Sequence, residues 1–191
     1  MIIGIVPTIR EPYKDQIEFS VDLRLLSFFR QIKQNSKFVI LCEKKNYHFD
    51  FLCLSGGNDI KDNSKRSRFR KKLDEFFYLK AKKSKIPILA ICHGAQFIVK
   101  KEGGKLKYQK GKIREHKIFS KKFNFLNSRV NSYHNIYIKK VPSNCEPLCF
   151  DKEKNIECFV MKNKKILGVI WHPERYKTFK KLDFKLIKNF L

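Results

Sequence analysis

The chain has 191 residues, of which 42% are hydrophobic and 14% aromatic, and its 43 basic against 18 acidic residues give a formal net charge of +25. This is enough apolar material for one domain over residues 1–191, whereas no stretch approaches the roughly 18 apolar residues of a membrane span. The N-terminus has no basic leader and the six cysteines form no CxxC pair, which predicts a cytoplasmic protein with reduced thiols and no membrane association.

The positive charge has three explanations. It would attract nucleic acid or another polyanion. The lysines are scattered, however, and no basic-aromatic repeat accompanies them. A/T-rich coding would also produce many Lys, Asn, Phe and Ile residues. A small substrate that carries phosphate would be attracted by the same positive electrostatic field. Nucleic acid is therefore the least supported partner.

Strand-like and helix-like runs alternate in the first half of the chain. Apolar runs predict strands at Ile2–Val6, Lys37–Cys42, Asp50–Ser55 and Pro87–Cys92. The segments between them predict helices over Gln16–Ile32 and Arg66–Lys83, and a third helix that starts at His93. This alternation is typical of a parallel α/β sheet.

The second half changes character, because short strand-like runs follow one another and a helix closes the chain. The predicted strands are Ile113–Phe119, Arg129–Ile138, Pro147–Phe150, Ile156–Met161 and Ile166–Trp171, and the final helix is Lys177–Phe190. The expected fold is α/β: a three-layer arrangement with a mostly parallel central sheet, flanking helices and some antiparallel C-terminal strands.

Two loops fall at the carboxyl ends of predicted strands. One is the Ser55–Asp59 segment, SGGND, and the other is the turn at Cys92. Ligands of open α/β sheets bind beyond the carboxyl ends of the strands, so both loops lie at the edge where a site is expected.

The turn Ala90-Ile91-Cys92-His93-Gly94 is typical of a nucleophile elbow, in which small residues let the strand and the next helix come close. The N-terminus of that helix would favour a thiolate at Cys92. The backbone N–H of His93 and an amide of the Gly56–Gly57 turn are candidate oxyanion donors. The alternative is that Cys92 is a buried strand cysteine and Gly94 an ordinary turn residue.

A candidate base lies at the end of a later strand, in Trp171-His172-Pro173-Glu174. A histidine at a strand end can take a proton from Cys92 while the nearby carboxylate of Glu174 orients its ring. An isolated His-Pro-Glu triplet is weak evidence, but its combination with a cysteine elbow is much stronger.

The ordered set SGG, IPILAICHGAQ, VNSYHN and GVIWHPE resembles class I glutamine amidotransferases, and in particular the stand-alone γ-glutamyl hydrolases of the peptidase C26 type. The resemblance implies that Cys92 is the nucleophile, His172 the general base and acid, and Glu174 the third member of a triad. Gly57 and His93 would supply the oxyanion amides. The implied chemistry proceeds through a thioester and requires no metal and no cofactor.

The resemblance also implies which residues hold the glutamate part of a substrate. These are Gly56, Gln96 and the turn Tyr133-His134-Asn135. His116 matches the same branch and either lines the substrate pocket or is a plain strand histidine.

Two residues of the elbow depart from the family pattern. Ala90 stands where glycine is usual, which adds one methyl group that the elbow should tolerate. His93 replaces a frequent arginine, and its side chain is either a substrate contact or an exposed bystander.

The implied function is hydrolysis of a small γ-glutamyl amide to release glutamate. The segments SGGNDI, REHKIFSKKF and LCFDKEKNIECF further resemble γ-glutamyl-CDP-amidate hydrolases of capsule phosphoramidate synthesis, so the substrate would be nucleotide-linked. One alternative is a glutaminase subunit that delivers ammonia to a separate synthase partner. Another is a non-catalytic or nucleic-acid-binding protein on the same fold.

Overall fold

The computed structural model describes residues 1–14, 16–110, 114–161 and 165–190. Its helices are α1 (Leu23–Ile32), α2 (Lys65–Lys83), α3 (His93–Lys101) and α4 (Lys181–Phe190). Its strands are β1 (Ile2–Val6), β2 (Thr8–Arg10), β3 (Glu18–Ser20), β4 (Lys37–Ile40), β5 (Phe51–Leu54), β6 (Ile88–Ile91), β7 (Lys105–Tyr108), β8 (Arg114–Ile118), β9 (Ser128–Ser132), β10 (Ile136–Lys140), β11 (Cys145–Phe150), β12 (Ile156–Met161) and β13 (Ile166–Val169).

Within the described residues, nine strands form a central mixed sheet. Its parallel half has the order β4-β1-β5-β6-β13. Beyond β13, the strands β12, β10 and β7 follow in antiparallel pairings, and β11 also pairs with β12. The predicted parallel sheet with antiparallel C-terminal strands is therefore confirmed.

The sheet is the middle of three layers, because apolar side chains cover both of its faces. One buried cluster joins alternate sheet residues to α2 and α3, and includes Leu73 and Phe77 of α2. The other joins the opposite face to α1 and α4, and includes Phe28 of α1 and Leu186 of α4. Strands that are covered on both faces read as nearly continuous apolar runs, which is why β5 and β6 are recognisable in the sequence.

Several predicted elements have different boundaries in the structure, and the final helix, predicted from Lys177, begins at Lys181. The helix predicted over Gln16–Ile32 begins at Leu23, because the Asp22 side chain caps it by accepting a hydrogen bond from the Arg24 backbone at 2.8 Å. The residues before the cap form β3, which pairs with β2. The strand predicted over Arg129–Ile138 is two strands, because β9 pairs with β8 outside the main sheet whereas β10 pairs with β7 and β12 inside it. The predicted strand start at Ile113 lies outside the described residues.

Among the residues that the structure describes, no helix has the length and apolar character needed to cross a membrane.

The largest buried side chain, Trp171, ties β13 to α4 by donating its ring N–H to Asp183 Oδ1 at 2.7 Å. Burial raises the pKa of Asp183 from 3.8 to about 7, although the Trp171 hydrogen bond and the Lys180 charge oppose the shift. The stability contributed by a carboxyl group with a raised pKa is complete below about pH 4 and is lost as the pH rises through about 7.

We therefore expect Asp183→Asn to stabilise the fold above pH 7 by about 1–3 kcal/mol, since the amide still accepts the Trp171 hydrogen bond without a buried charge. Urea unfolding at pH 8 and at pH 4.5 measures this effect. The gain should be much larger at pH 8 than at pH 4.5, and an equal change at both pH values would contradict the explanation.

Candidate active site

The elbow at Cys92 has the geometry that its sequence predicts. β6 ends at Ile91, α3 begins at His93, and Cys92 between them has φ 48° and ψ −100°. Non-glycine residues rarely adopt a positive φ, so this turn stores about 1–3 kcal/mol of backbone strain. The Cys92 N–H donates to the Val169 carbonyl at 2.8 Å, which anchors the strained residue to β13. A Cβ at Gly94 would overlap Leu54 of β5, so only glycine lets α3 lie this close to the sheet.

His172 follows β13 at the same edge of the sheet, and its ring is buried with the Glu174 carboxylate. Nδ1 of His172 and Oε1 of Glu174 are 2.6 Å apart, and the two residues are 2% and 4% exposed. The Cys92 side chain lies close enough to this ring to raise the pKa of His172. The structure therefore brings together the three side chains to which the sequence assigned catalysis.

Asn131 of β9 fixes the backbone of His172 by two hydrogen bonds. The His172 N–H donates to Asn131 Oδ1 and the Asn131 side-chain amide donates to the His172 carbonyl, each at 2.8 Å. Arg24 of α1 similarly donates to the Glu174 carbonyl at 3.0 Å. The sequence analysis assigned no role to either residue: Asn131 lies inside the VNSYHN motif that could have drawn attention to it, whereas nothing local marks Arg24.

Electrostatic effects at His172 oppose one another. Burial lowers its pKa, but the charge of Cys92, the Cys92 hydrogen bond and the Glu174 carboxylate raise it more, to about 9. A histidine pKa raised in this way is typical of an imidazolium that has anionic partners. The stability that this pairing contributes is complete below the ordinary histidine pKa of 6.5 and is lost as the pH rises through about 9.

We expect kcat/KM for amide cleavage to fall about tenfold per pH unit above pH 9, because a neutral His172 has no proton for the leaving nitrogen. Steady-state rates between pH 6 and 10.5 measure this limb. Proton NMR of Cys92→Ala should show His172 titrating at lower pH, since the thiolate that raises its pKa is gone. A His172 titration that does not change in the variant would contradict the ion pair.

The Gly56–Gly57 turn packs directly against the catalytic candidates. A Cβ at Gly56 would overlap the ring of His172, so this glycine forms one wall of the histidine site. Gly57 has φ +129°, and a Cβ there would overlap Thr8. The Thr8 hydroxyl donates to the Gly56 carbonyl at 2.9 Å and fixes the turn. The assignment of Gly57 and His93 as oxyanion donors and of Gly56 to substrate binding stays a prediction.

The residues assigned to the glutamate part of a substrate surround the same edge. Tyr133 is 40% exposed and its ring meets the His172 ring edge-on, with centroids 5.5 Å apart. Gln96 is buried, and its amide donates to the Ile136 carbonyl at 3.0 Å, which joins α3 to the start of β10. Asn135 is exposed. Their contacts with a substrate remain predictions.

His134 and Glu157 are buried polar residues, and His116 lies partly buried beside Glu157. His116 Nε2 lies 3.3 Å from Oε1 of Glu157, whose carboxylate is 1% exposed and accepts no hydrogen bond of good geometry. Burial lowers the pKa of His134, and the charges of His116 and His172 lower it further, against the opposing effect of Glu157. Glu157 was not identified from the sequence, because a single acidic residue in an apolar strand carries no specific signal.

The side chain of His93 is neither exposed nor free to contact a substrate, contrary to both sequence-based alternatives. It is 1% exposed and points toward α2, where its ring meets Asp74 and the carbonyl of Asn58. Among the described ranges, no group of three His, Cys, Asp or Glu side chains has the arrangement of a metal site.

Residues 17–191 match the family model described as glutamine amidotransferase class-I. The chain belongs to the class I glutamine amidotransferase family, as its motifs indicated.

Curated relatives include two kinds of protein. The γ-glutamyl-CDP-amidate hydrolase of Campylobacter jejuni is 34% identical over 147 residues, which cover 71% of this chain and 70% of the relative. The glutamine-hydrolyzing GMP synthase subunit of Methanococcus aeolicus is 33% identical over 175 residues, which cover 88% of this chain and 86% of the relative. Among solved structures, a putative GMP synthase subunit from Thermoplasma acidophilum has the same fold, with a TM-score of 0.72 and 20% identity over 100% of this chain and 92% of that one.

Proposed function

We propose that this protein is a cysteine-dependent hydrolase that cleaves a γ-glutamyl amide bond and releases glutamate. The observation that carries the proposal is the buried His172 ring, which lies 2.6 Å from the Glu174 carboxylate and close enough to the Cys92 side chain for that group to raise its pKa. This arrangement, at a strained strand-to-helix turn, is that of a nucleophile activated by an oriented base. The family of the chain and its hydrolase relative support amide cleavage.

In the proposed mechanism, the Cys92 thiolate attacks the γ-carbonyl carbon and forms a tetrahedral intermediate. Backbone amides of Gly57 and His93 stabilise the oxyanion. His172 donates its proton to the leaving nitrogen, the C–N bond breaks, and a thioester remains on Cys92. His172, now neutral, removes a proton from water, which attacks the thioester and releases glutamate with the thiolate restored. Glu174 keeps the ring oriented in both halves.

We further propose that the leaving group is a cytidine diphosphoramidate, so that the substrate is γ-glutamyl-CDP-amidate. The name of the Campylobacter relative supports this choice. A cavity of about 270 Å³ beside the site supports it as well, because Phe119 and Tyr137 give the cavity aromatic surface and Lys117 and Lys152 offer cations to a diphosphate, although Glu115 and Asp151 also line it. The Tyr137 ring contacts the His134 ring, with centroids 4.8 Å apart, and His134 is close enough to His172 to feel its charge.

Glutamate release from a panel of amides tests the proposed function. The panel contains glutamine, simple γ-glutamyl amines and γ-glutamyl-CDP-amidate, with Cys92→Ala as the control. We expect release from the nucleotide-linked amide and none from the variant. No release from any amide would overturn the hydrolase.

The same cavity gives a test of the leaving group. We expect the double variant Lys117→Ala and Lys152→Ala to raise KM for γ-glutamyl-CDP-amidate by about tenfold or more, because two contacts to the diphosphate are lost. Hydrolysis of a simple γ-glutamyl amine should be unchanged. Lys100→Ala, on the exposed side of α3, is the matched control. An equal effect on both substrates would exclude the cavity as the nucleotide site.

A second candidate function is a glutaminase subunit that passes ammonia to a separate synthase. The observation that favours it is the 88% of this chain that aligns with the GMP synthase subunit of Methanococcus aeolicus. Release from glutamine alone, increased by a synthase partner, would establish this function in place of the first.

A further inference from the structure

A buried ion network lies behind the nucleophile and involves no residue of the proposed triad. Arg70 and Asp74, one turn apart on α2, are both completely buried. The Arg70 Nε donates to both carboxylate oxygens of Asp74 at 3.0 Å. The remaining guanidinium nitrogens donate to the Pro7 carbonyl at 2.9 Å and to the Ser55 carbonyl at 2.7 Å. Arg70 thus supports the loop that carries Gly56 and Gly57 from below.

The ring of His93 completes this network. Its Nε2 lies 2.9 Å from Asp74 Oδ2 and its Nδ1 lies 2.5 Å from the Asn58 carbonyl oxygen. Burial opposes ionisation of Asp74, but the Arg70 charge and the His93 hydrogen bond outweigh it, so the pKa of Asp74 lies below its ordinary value. A carboxylate and a carbonyl oxygen can only accept hydrogen bonds. Both ring nitrogens of His93 must therefore carry a hydrogen.

We propose that His93 is held as an imidazolium and that its fixed positive charge, one residue from the nucleophile, stabilises the Cys92 thiolate and the oxyanion that forms beside it. His93 is then a positioning residue, which acts through Cys92 and through its own backbone N–H. Two cations and one anion leave the network with a net positive charge, and the N-terminus of α3 adds to it. The mechanistic part rests on the proposed function, because it takes Cys92 as the nucleophile.

An arginine at position 93 would be cationic by nature, whereas a histidine is cationic only where its surroundings require it. Asp74 and the Asn58 carbonyl provide that requirement here. The charged groups that face the elbow are Asp74 and Arg70 from α2 and the His172–Glu174 pair from the end of β13.

Two measurements that need no substrate test the proposal. The first is ¹⁵N NMR of the wild-type ring, which should show both His93 nitrogens protonated at pH 7. A neutral tautomer at pH 7 would overturn the proposal. The second is the alkylation rate of Cys92 by iodoacetamide against pH, read by mass spectrometry of the Cys92 peptide so that the other thiols do not interfere.

The alkylation experiment compares His93→Gln with His93→Arg. The glutamine variant removes the charge, and we expect its alkylation midpoint to move up by about one pH unit or more and kcat/KM to fall about tenfold or more. The arginine variant should keep the midpoint within about half a pH unit and kcat/KM within about threefold of the wild type, which a merely structural role for the histidine ring would not predict. The control variant is Asp183→Asn, which removes a buried carboxylate in another part of the fold. It should leave the pH midpoint of Cys92 alkylation unchanged.

The outcomes separate this inference from the proposed function. A glutamine variant with the wild-type alkylation midpoint would overturn the role of His93. A shifted midpoint together with no glutamate release from any amide would support the charge on His93 and defeat the hydrolase.

Discussion

Replacement of Cys92 by alanine is expected to reduce glutamate release by at least about 10,000-fold, because the proposed thioester can no longer form at this position. Cys92 is 8% exposed and alanine is smaller, so the fold should persist. The variant has to adopt the same positive φ, which is strained for alanine as it is for cysteine. Circular dichroism and the panel of γ-glutamyl amides measure the two properties separately.

Cys42→Ala is the matched control for that experiment. Cys42 is a half-buried free thiol remote in sequence from the elbow, so its loss should leave glutamate release unchanged. The combination of Cys92→Ala with His172→Asn should lose little more activity than either single change, since residues that act as a unit are strongly non-additive. Additive losses would show that the two side chains do not act in one step.

Gly56→Ala is expected to lower kcat by about 100-fold or more while the protein remains folded. The new methyl group would overlap the His172 ring, and a displacement of about 1 Å at a catalytic group is enough for a loss of that size. Because Asn131 fixes the backbone of His172, the new methyl group has to be accommodated by the ring itself. The ring would then be displaced from its position between Cys92 and Glu174.

The control for the glycine variant is Gly103→Ala, after α3. Gly103 has φ +86° but nothing lies within 4 Å of a Cβ at this position. Its replacement should therefore reduce stability through backbone strain and leave kcat unchanged. Equal kcat values for the Gly56 variant and the wild type would mean that His172 is not positioned by this turn. Thermal unfolding of both variants completes the comparison.

The sequence predicted the parallel half of the sheet well because its strands are covered on both faces. Apolar runs such as those at β5 and β6 have no other common explanation when helices separate them. β7 was missed because it is a short edge strand, KLKY, with two lysines, and its pairing with β10 is a long-range property. The division between β9 and β10 was missed for the same reason.

The candidate site was predictable where side chains follow strand ends in a fixed order, as Cys92 and His172 do. The supporting residues were not predictable. Arg70 and Asp74 look like a solvent-exposed ion pair of a basic helix, and only tertiary packing shows that both are completely buried. The same packing reversed the expectation for His93, because a histidine's surroundings cannot be read from its neighbours in sequence.

The paired strands β8 and β9 lie outside the main sheet and contribute residues both to the His172 site and to the cavity beside it. Asn131 forms two hydrogen bonds with the backbone of His172. The cavity proposed for the leaving group is lined by the next residue, Ser132, and by His116 on the facing strand. A ligand that fills this cavity would therefore restrict the motion of β9 and, through Asn131, that of His172. Binding of the part of the substrate that is distant from the reacting bond would then raise kcat. Amides that lack this part would have a low kcat even at saturating concentration.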